Sequence, residues 1–338
     1  MFFKKENKSS HPLDEQVQAG LRGDFERGWQ IAQTLMQESP ACNRAAFNRA
    51  WYLMMQGDLL GGLECLDRGR WERVFGDGPL PTNKPIWRDQ NLQGKFILLC
   101  SEGGLGDEII NARFASDFAK RGAKVTMTCD PSLVSVFSRI EGISCVIGHK
   151  HAPNIYHDFW VPGMSAAHVL QYNYQKLTGE PYLTVHPDYK NKWAQILREK
   201  YGAIVPKIGL RFYGNPKFEH EQHRRFPQQD LISAVGDRDW INLQKEESSL
   251  PLETWEDTLA LISHLDLVIT SCTSVAHASA ALGKETWVIT PVLPYYIWAL
   301  PGSTSPWYKS VRLFRQKKFG QWDNVFQEIN QALQERSK

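Results

Sequence analysis

From Phe96 onward, short apolar runs alternate with amphipathic stretches. FILLC (96–100), VTMTC (125–129), CVI (145–147) and DFWV (158–161) are near-continuous apolar runs of strand length, the form taken by strands buried on both faces of a parallel sheet. Asp107 to Arg121 and Pro131 to Arg139 lie between them and read as helices. After a helical stretch from Tyr189 to Tyr201 and a break at Pro206, the alternation restarts. KIGLRF (207–212), WINLQ (240–244), LVIT (267–270), TWVIT (286–290) and VRLF (311–314) read as strands, with helices near 227–235, 254–264 and 274–282. Two such series predict two doubly wound α/β lobes, 96–204 and 205–316, with a cleft between the carboxyl ends of their sheets. A last amphipathic helix, Trp322 to Arg336 in a tail of 317–338, is expected to dock across both lobes.

Before Phe96 the pattern is purely helical. Gly23-Asp24-Phe25 and Gly28 recur 34 residues later as Gly57-Asp58-Leu59 and Gly62. Helical spacing surrounds both sets, with Val17, Leu21 and Phe25 in one unit, Trp51, Met55 and Leu59 in the next, and Pro40 between them. Thirty-four residues is the period of the tetratricopeptide repeat, and two unrelated amphipathic helix pairs are the plainer alternative. So short an array cannot bury its own apolar faces, and segment 13–75 is therefore expected to pack on the α/β part of the chain. A linker, 76–95, separates it from the first lobe and opens with the Pro/Gly-rich GDGPLPTNKP (76–85).

Composition narrows the class. With 338 residues, 42% hydrophobic and 22% charged, the chain reads as a soluble globular protein of about two domains. Thirty-nine basic against 37 acidic residues give a charge of +2, without the global field of a dedicated nucleic-acid binder. The first fifteen residues lack an apolar stretch of signal-peptide length. The uncharged run from Thr286 to Tyr308 contains Pro291, Pro294, Pro301 and Pro306 and reads as loop, not membrane span. The expected location is the cytoplasm, free or peripheral at the inner face of the membrane. Cys42, Cys65, Cys100, Cys129, Cys145 and Cys272 show no C-x-x-C spacing and are expected to be free thiols, with no metal site.

Two strand–turn–helix junctions could carry chemistry. In Ser101-Glu102-Gly103-Gly104-Leu105-Gly106-Asp107-Glu108, the glycines permit a tight turn, while three carboxylates would repel a phosphate. Asp107, at a helix start facing a cleft, could take the proton of an incoming hydroxyl or simply cap the helix. In Thr270-Ser271-Cys272-Thr273-Ser274-Val275-Ala276-His277, no acid intervenes between Asp266 and Glu285. Hydroxyls and free N–H groups at that helix start suit a pyrophosphate, with His277 one turn in; ordinary capping by Thr273 or Ser274 is the alternative. A third stretch, Gly209 to Lys217 and on through His223-Arg224-Arg225-Phe226-Pro227, gathers cations among turn residues and offers a clamp for phosphate oxygens, with Lys217 and Arg224 read as solvent-exposed. The Asp237-Arg238-Asp239 pattern is common by chance. His149, His151 and the His157-Asp158 pair lack a third convergent ligand and are read as solvated.

On these residues the chain resembles a known group. EGGLGDEIINARFASDFAKRGAKVTM, IGLRFYGNP, RRFP, INLQKEE, LDLVITSCTSVAHASAALGKETWVITP and SPWYKSVRLFRQ are similar to the tetratricopeptide-linked glycosyltransferases related to the heptosyltransferases of glycosyltransferase family 9. The likeness runs from about Leu13 to Gln316. It implies the GT-B architecture of two Rossmann-like lobes, the first for the acceptor and the second for a nucleotide sugar, with metal-free transfer that inverts the anomeric carbon. It implies Asp107 as base and Glu102, Gly104 and Gly106 as acceptor loop. Thr273, Ser274, His277, Arg225, Asn215 and Gln244 become donor and phosphate contacts. Cys272 stands where many relatives carry Asp, and Phe212 where Trp is frequent.

The resulting expectation is an inverting, metal-independent transferase of hexosyl or heptosyl type. It would use a nucleotide sugar as substrate, no cofactor, and a protein or glycan acceptor, the former engaged through the helical repeats, with no nucleic-acid partner. The alternatives are a non-enzymatic adaptor with a vestigial cleft and a nucleotide-sugar epimerase.

Overall fold

The computed structural model describes residues 11–75, 82–217 and 221–336. The start of the polar N-terminus, residues 76–81 of the linker, 218–220 of the basic stretch and 337–338 lie outside it.

Four helices come first: α1 (Pro12–Arg22), α2 (Phe25–Glu38), α3 (Asn43–Met55) and α4 (Leu59–Asp67). They form two helix–turn–helix units, and the 34-residue repeat marks their turns. Gly23 ends α1 in the left-handed conformation (φ 83°), and Asp24 accepts from the Arg27 N–H to start α2. Gly57 (φ 93°) and Asp58, which accepts from the Gly61 N–H, do the same between α3 and α4. Gly28 and Gly62 mark close crossings. A Cβ on Gly28 would lie 2.1 Å from Tyr52 Oη, and one on Gly62 would lie 2.5 Å from Met54 Cγ. Ala50, Met54, Leu59, Leu63 and Leu66 of the segment belong to the same apolar cluster as the first sheet.

The first lobe contains β1 (Phe96–Cys100), α5 (Leu105–Ala112), α6 (Ala115–Lys120), β2 (Lys124–Cys129), α7 (Val134–Phe137), β3 (Ile143–Gly148), β4 (Phe159–Pro162) and α8 (Ala166–Val169). Its sheet is parallel throughout, in the order β3-β2-β1-β4. The helix expected over 107–121 is interrupted at Arg113–Phe114, between α5 and α6. Part of the linker is also structured: Ile86 bridges to Trp160, and the Trp87 N–H donates to the Trp160 carbonyl at 2.9 Å, extending the β4 edge.

Helix α9 (Pro187–Tyr201) corrects the boundary set at 204. Its buried Trp193 and Leu197 join the cluster of Ile241, Leu243 and Leu261, so the second lobe begins with this helix. The lobe continues with β5 (Ile208–Arg211), α10 (Glu221–Arg224), α11 (Gln228–Val235), β6 (Trp240–Asn242), α12 (Trp255–Ser263), β7 (Leu267–Ser271), α13 (Ser274–Ala281), β8 (Thr286–Thr290), β9 (Val311–Arg315) and α14 (Asp323–Arg336). Its sheet, also all parallel, runs β6-β5-β7-β8-β9. The tail helix α14 does not cross between lobes as expected. Its apolar face, Val325, Phe326, Ile329 and Leu333, packs on Leu231, Val235 and Phe314 of the second lobe.

Polar clasps join the lobes. Arg139 donates Nη1 to Glu256 Oε1 (2.6 Å) and Nη2 to Oε2 (2.8 Å). The Arg113 guanidinium lies among the rings of Tyr182, Trp307 and Tyr308, at 4.8, 5.3 and 4.4 Å, and donates to the Trp307 carbonyl. Among the described residues, no helix is long and apolar enough to cross a membrane.

Candidate active site

The loop after β1 builds one side of the site. Gly103 is left-handed (φ 76°), and a Cβ there would come within 2.4 Å of Asp107 Oδ2, so both conformation and space require glycine. Asp107, the third residue of α5, turns Oδ2 back to accept from the Gly104 N–H at 2.8 Å, satisfying an N–H that the helix leaves open. Its other oxygen, Oδ1, accepts from the Tyr295 hydroxyl of the second lobe at 2.5 Å. Asp107 therefore does cap its helix, with one oxygen only. Burial pushes its carboxyl above the usual range, against the bonds from Tyr295 and Gly104. Burial, followed by the nearby Asp107 charge, raises the Tyr295 phenol well above its ordinary value, so the phenol holds the proton.

The two neighbouring acids point elsewhere. Glu108 is 3% exposed and bonds the Asp130 N–H and His149 Nε2, each at 2.8 Å. Glu102 is clasped by Arg70 of the helical segment, Nε to Oε1 at 2.7 Å and Nη2 to Oε2 at 2.8 Å, and also accepts from the Met164 N–H. Of the three carboxylates in this turn, Asp107 is the one bonded to the second lobe.

The turn after β7 forms the other side. Thr273 is extended (φ −132°), and no side chain caps α13. Ser271 Oγ and His277 Nδ1 are buried without a hydrogen-bond partner. Arg224 donates Nη1 to the Cys272 carbonyl and Nε to Glu221 Oε2. The His277 ring stacks on Trp298, with centroids 5.4 Å apart and planes 6° from parallel, while Trp298 Nε1 donates to Cys272 Sγ at 3.1 Å. Burial, reinforced by Arg113 and Arg224, lowers the His277 pKa to about 3, leaving a neutral imidazole near neutrality.

Gly106 lets the two sides meet. A Cβ there would lie 3.1 Å from His277 Cδ2 and 3.7 Å from Ser274 Cα. The structure thus brings Gly106, beside Asp107 at the start of α5, against Ser274 and His277 of α13.

The remaining candidates are engaged differently. Arg225 is exposed, its guanidinium 5.6 Å over the Tyr213 ring, whereas Arg224, read from sequence as solvent-exposed, is the cation that reaches the α13 turn. Asn215 is exposed and accepts from the Lys217 N–H. Gln244 is fully buried, accepting from the Tyr213 N–H and donating to Glu246. Asp237 and Asp239 are exposed before the start of β6, at the amino edge of the sheet and away from the site. His157 is not solvated as expected; it is 5% exposed, between Thr82 Oγ1 and the Ile155 carbonyl. Among the described residues, no group of three His, Cys, Asp or Glu is arranged to hold a metal ion.

Sequence reasoning missed Tyr295, Arg113, Trp298 and Arg70. Arg113 lies in the glycine-loop run without any pattern that marks it, Tyr295 and Trp298 share the proline-rich loop after β8, and Arg70 follows α4; tertiary packing brings them to the site.

No family model matches the chain. Protein FlbA of Caulobacter vibrioides is 25% identical over 342 residues, an alignment covering 86% of this chain and 54% of FlbA. The chain therefore spans about half the length of that curated relative. Among solved structures, three glycosyltransferases resemble this chain at low identity. The glycosyl transferase family 9 protein of Veillonella parvula is 11% identical with a TM-score of 0.49, covering 73% of this chain and 91% of that one. The E. coli ADP-heptose LPS heptosyltransferase II is 12% identical (TM-score 0.48; 72% and 99% covered). The E. coli heptosyltransferase WaaC, solved with ADP-2-deoxy-2-fluoro heptose, is 11% identical (TM-score 0.47; 71% and 99% covered).

Proposed function

We propose that this chain is an inverting glycosyltransferase of GT-B type that moves a sugar from a nucleoside-diphosphate donor to a hydroxyl of a protein or glycan. The observation that carries the reading is the contact between α5, which presents Asp107, and the uncapped, acid-free start of α13. Asp107 takes the acceptor's proton, the acceptor oxygen attacks the anomeric carbon, and the diphosphate leaves. The N–H groups at the start of α13 and the Arg224 guanidinium receive its negative charge. Fixed donors of this kind commonly supply several kcal/mol of transition-state stabilisation. These groups carry the leaving-group charge without a divalent ion.

The helical segment is suited to present a protein acceptor, because it borders the glycine loop through Arg70 and the second lobe through Trp51, whose Nε1 donates to the Pro294 carbonyl at 2.9 Å. A second reading, an adaptor with a vestigial cleft, draws on the engagement of both Asp107 oxygens and on Cys272 in place of an acid. Calorimetric titration with UDP-, ADP-, GDP- and CMP-linked sugars separates the two. A transferase gives saturable heat with one donor class, competed by the matching free nucleotide; an adaptor gives none with any.

A further inference from the structure

Tyr295 already holds an O–H where a base needs one. A general base must meet the proton it removes at about 2.6–3.2 Å between heavy atoms. The Asp107 Oδ2 bond to Gly104 belongs to the helix cap, leaving Oδ1 for chemistry, and Oδ1 is met by the Tyr295 hydroxyl at 2.5 Å, from 188 residues away. The loop that carries Tyr295 is anchored on the helical segment. Trp51 Nε1 donates to the Pro294 carbonyl, and a Cβ on Gly23 would lie 3.1 Å from Val292 Cγ1, one on Gly20 3.4 Å from Leu293 Cδ2.

We propose that Tyr295 is a positioning residue that occupies the acceptor-hydroxyl position at Asp107 and keeps water off the base until an acceptor displaces it. This rests on the transferase reading. In the resting site the phenol donates to Oδ1. When an acceptor binds, its hydroxyl replaces the phenol, passes its proton to Oδ1 and bonds to the anomeric carbon as the nucleoside diphosphate leaves. Attachment of the loop to α3 gives the helical segment a hold on this exchange.

The test measures acceptor-free hydrolysis of the same nucleotide sugars by the full chain, read as release of free nucleotide against pH. Water that reaches Asp107 in Tyr295→Phe raises hydrolysis about tenfold, and loss of a donor to the carboxylate moves the acid limb of the profile up by about one pH unit. Trp51→Phe, which keeps the phenol and cuts its anchor, gives a smaller rise and decides the matter should Tyr295→Phe fail to fold. A merely structural Tyr295 would leave the acid limb in place. Hydrolysis and acid limb both unchanged from a working wild type would overturn this inference alone. Donor bound by the wild type but hydrolysed by neither variant would overturn this inference alone, whereas no donor bound by any of the three proteins in calorimetry would overturn the transferase reading and this inference with it.

Discussion

Arg70 on the helical segment clasps Glu102 of the glycine loop through two parallel hydrogen bonds, with the guanidinium 9% and the carboxylate 14% exposed. The helices are thereby fastened to the turn that shapes the Asp107 cap. Removing one partner of a buried ion pair strands the other, at about 3–5 kcal/mol. Arg70→Ala should lose stability of that order in urea denaturation. Arg70→Lys, which keeps the charge and loses the fork, should recover part of it. A loss below about 0.5 kcal/mol, the range of ordinary surface substitutions, would show that the clasp carries no weight.

The repeat glycines make separable predictions. Gly28→Ala drives a methyl into Tyr52 Oη, which donates to the Gln16 carbonyl at 2.9 Å. Overpacking and the lost bond together should cost about 2–3 kcal/mol. Gly57 has φ 93° and nothing within 4 Å of an added Cβ, so Gly57→Ala should cost only backbone strain of about 1 kcal/mol. Chemical denaturation of the two variants side by side checks the order.

Arg224, not Arg225, should serve the donor's phosphates. Charge-assisted bonds are worth about 1.5–3 kcal/mol, so Arg224→Ala should weaken nucleoside diphosphate binding by about 10- to 100-fold. Arg225→Ala, an exposed side chain over Tyr213, should change it less than about threefold. Calorimetry on both variants reads the difference, and the reverse order would return the role to Arg225.

Most of the strand pattern was legible because buried parallel strands leave uninterrupted apolar runs; Phe96–Cys100 and Thr286–Thr290 have the bounds read from the sequence. The junctions at Asp107 and Thr273 were legible because glycine and hydroxyl residues mark strand-to-helix turns. Tyr295 was not, since it lies in a proline-rich loop and meets Asp107 only through tertiary packing. The choice between Arg224 and Arg225 depends on the phase of α10, a single turn too short to show periodicity. Trp193 on α9 carried no mark of which lobe would receive it; its indole N–H donates to buried Asp257 of α12.

His277 should make stability fall with acid. Its folded pKa of about 3 lies below the ordinary 6.5, so the unfolded chain takes up the proton first as pH drops. Stability from this group is intact above about pH 6.5 and declines toward pH 3, with a slope approaching about 1.4 kcal/mol per unit. The raised pKa of Asp107 acts with the opposite sign, favouring the folded state as pH falls. Subtracting the urea-denaturation profile of His277→Gln from that of the wild type between pH 7 and 5 isolates the histidine. A difference that stays flat would contradict a buried neutral ring.

On the proposed reading, Asp107 removes a proton while the start of α13 holds the departing diphosphate. Asp107→Asn keeps the shape and an acceptor oxygen for the helix cap but cannot act as the base. Transfer and nucleotide affinity, both measured on this one variant, separate the two roles. Transfer should fall by about 100-fold or more, the contribution of a general base, while nucleoside diphosphate affinity stays within about threefold of wild type. Transfer at the wild-type rate, or loss of nucleotide binding together with transfer, would contradict that reading.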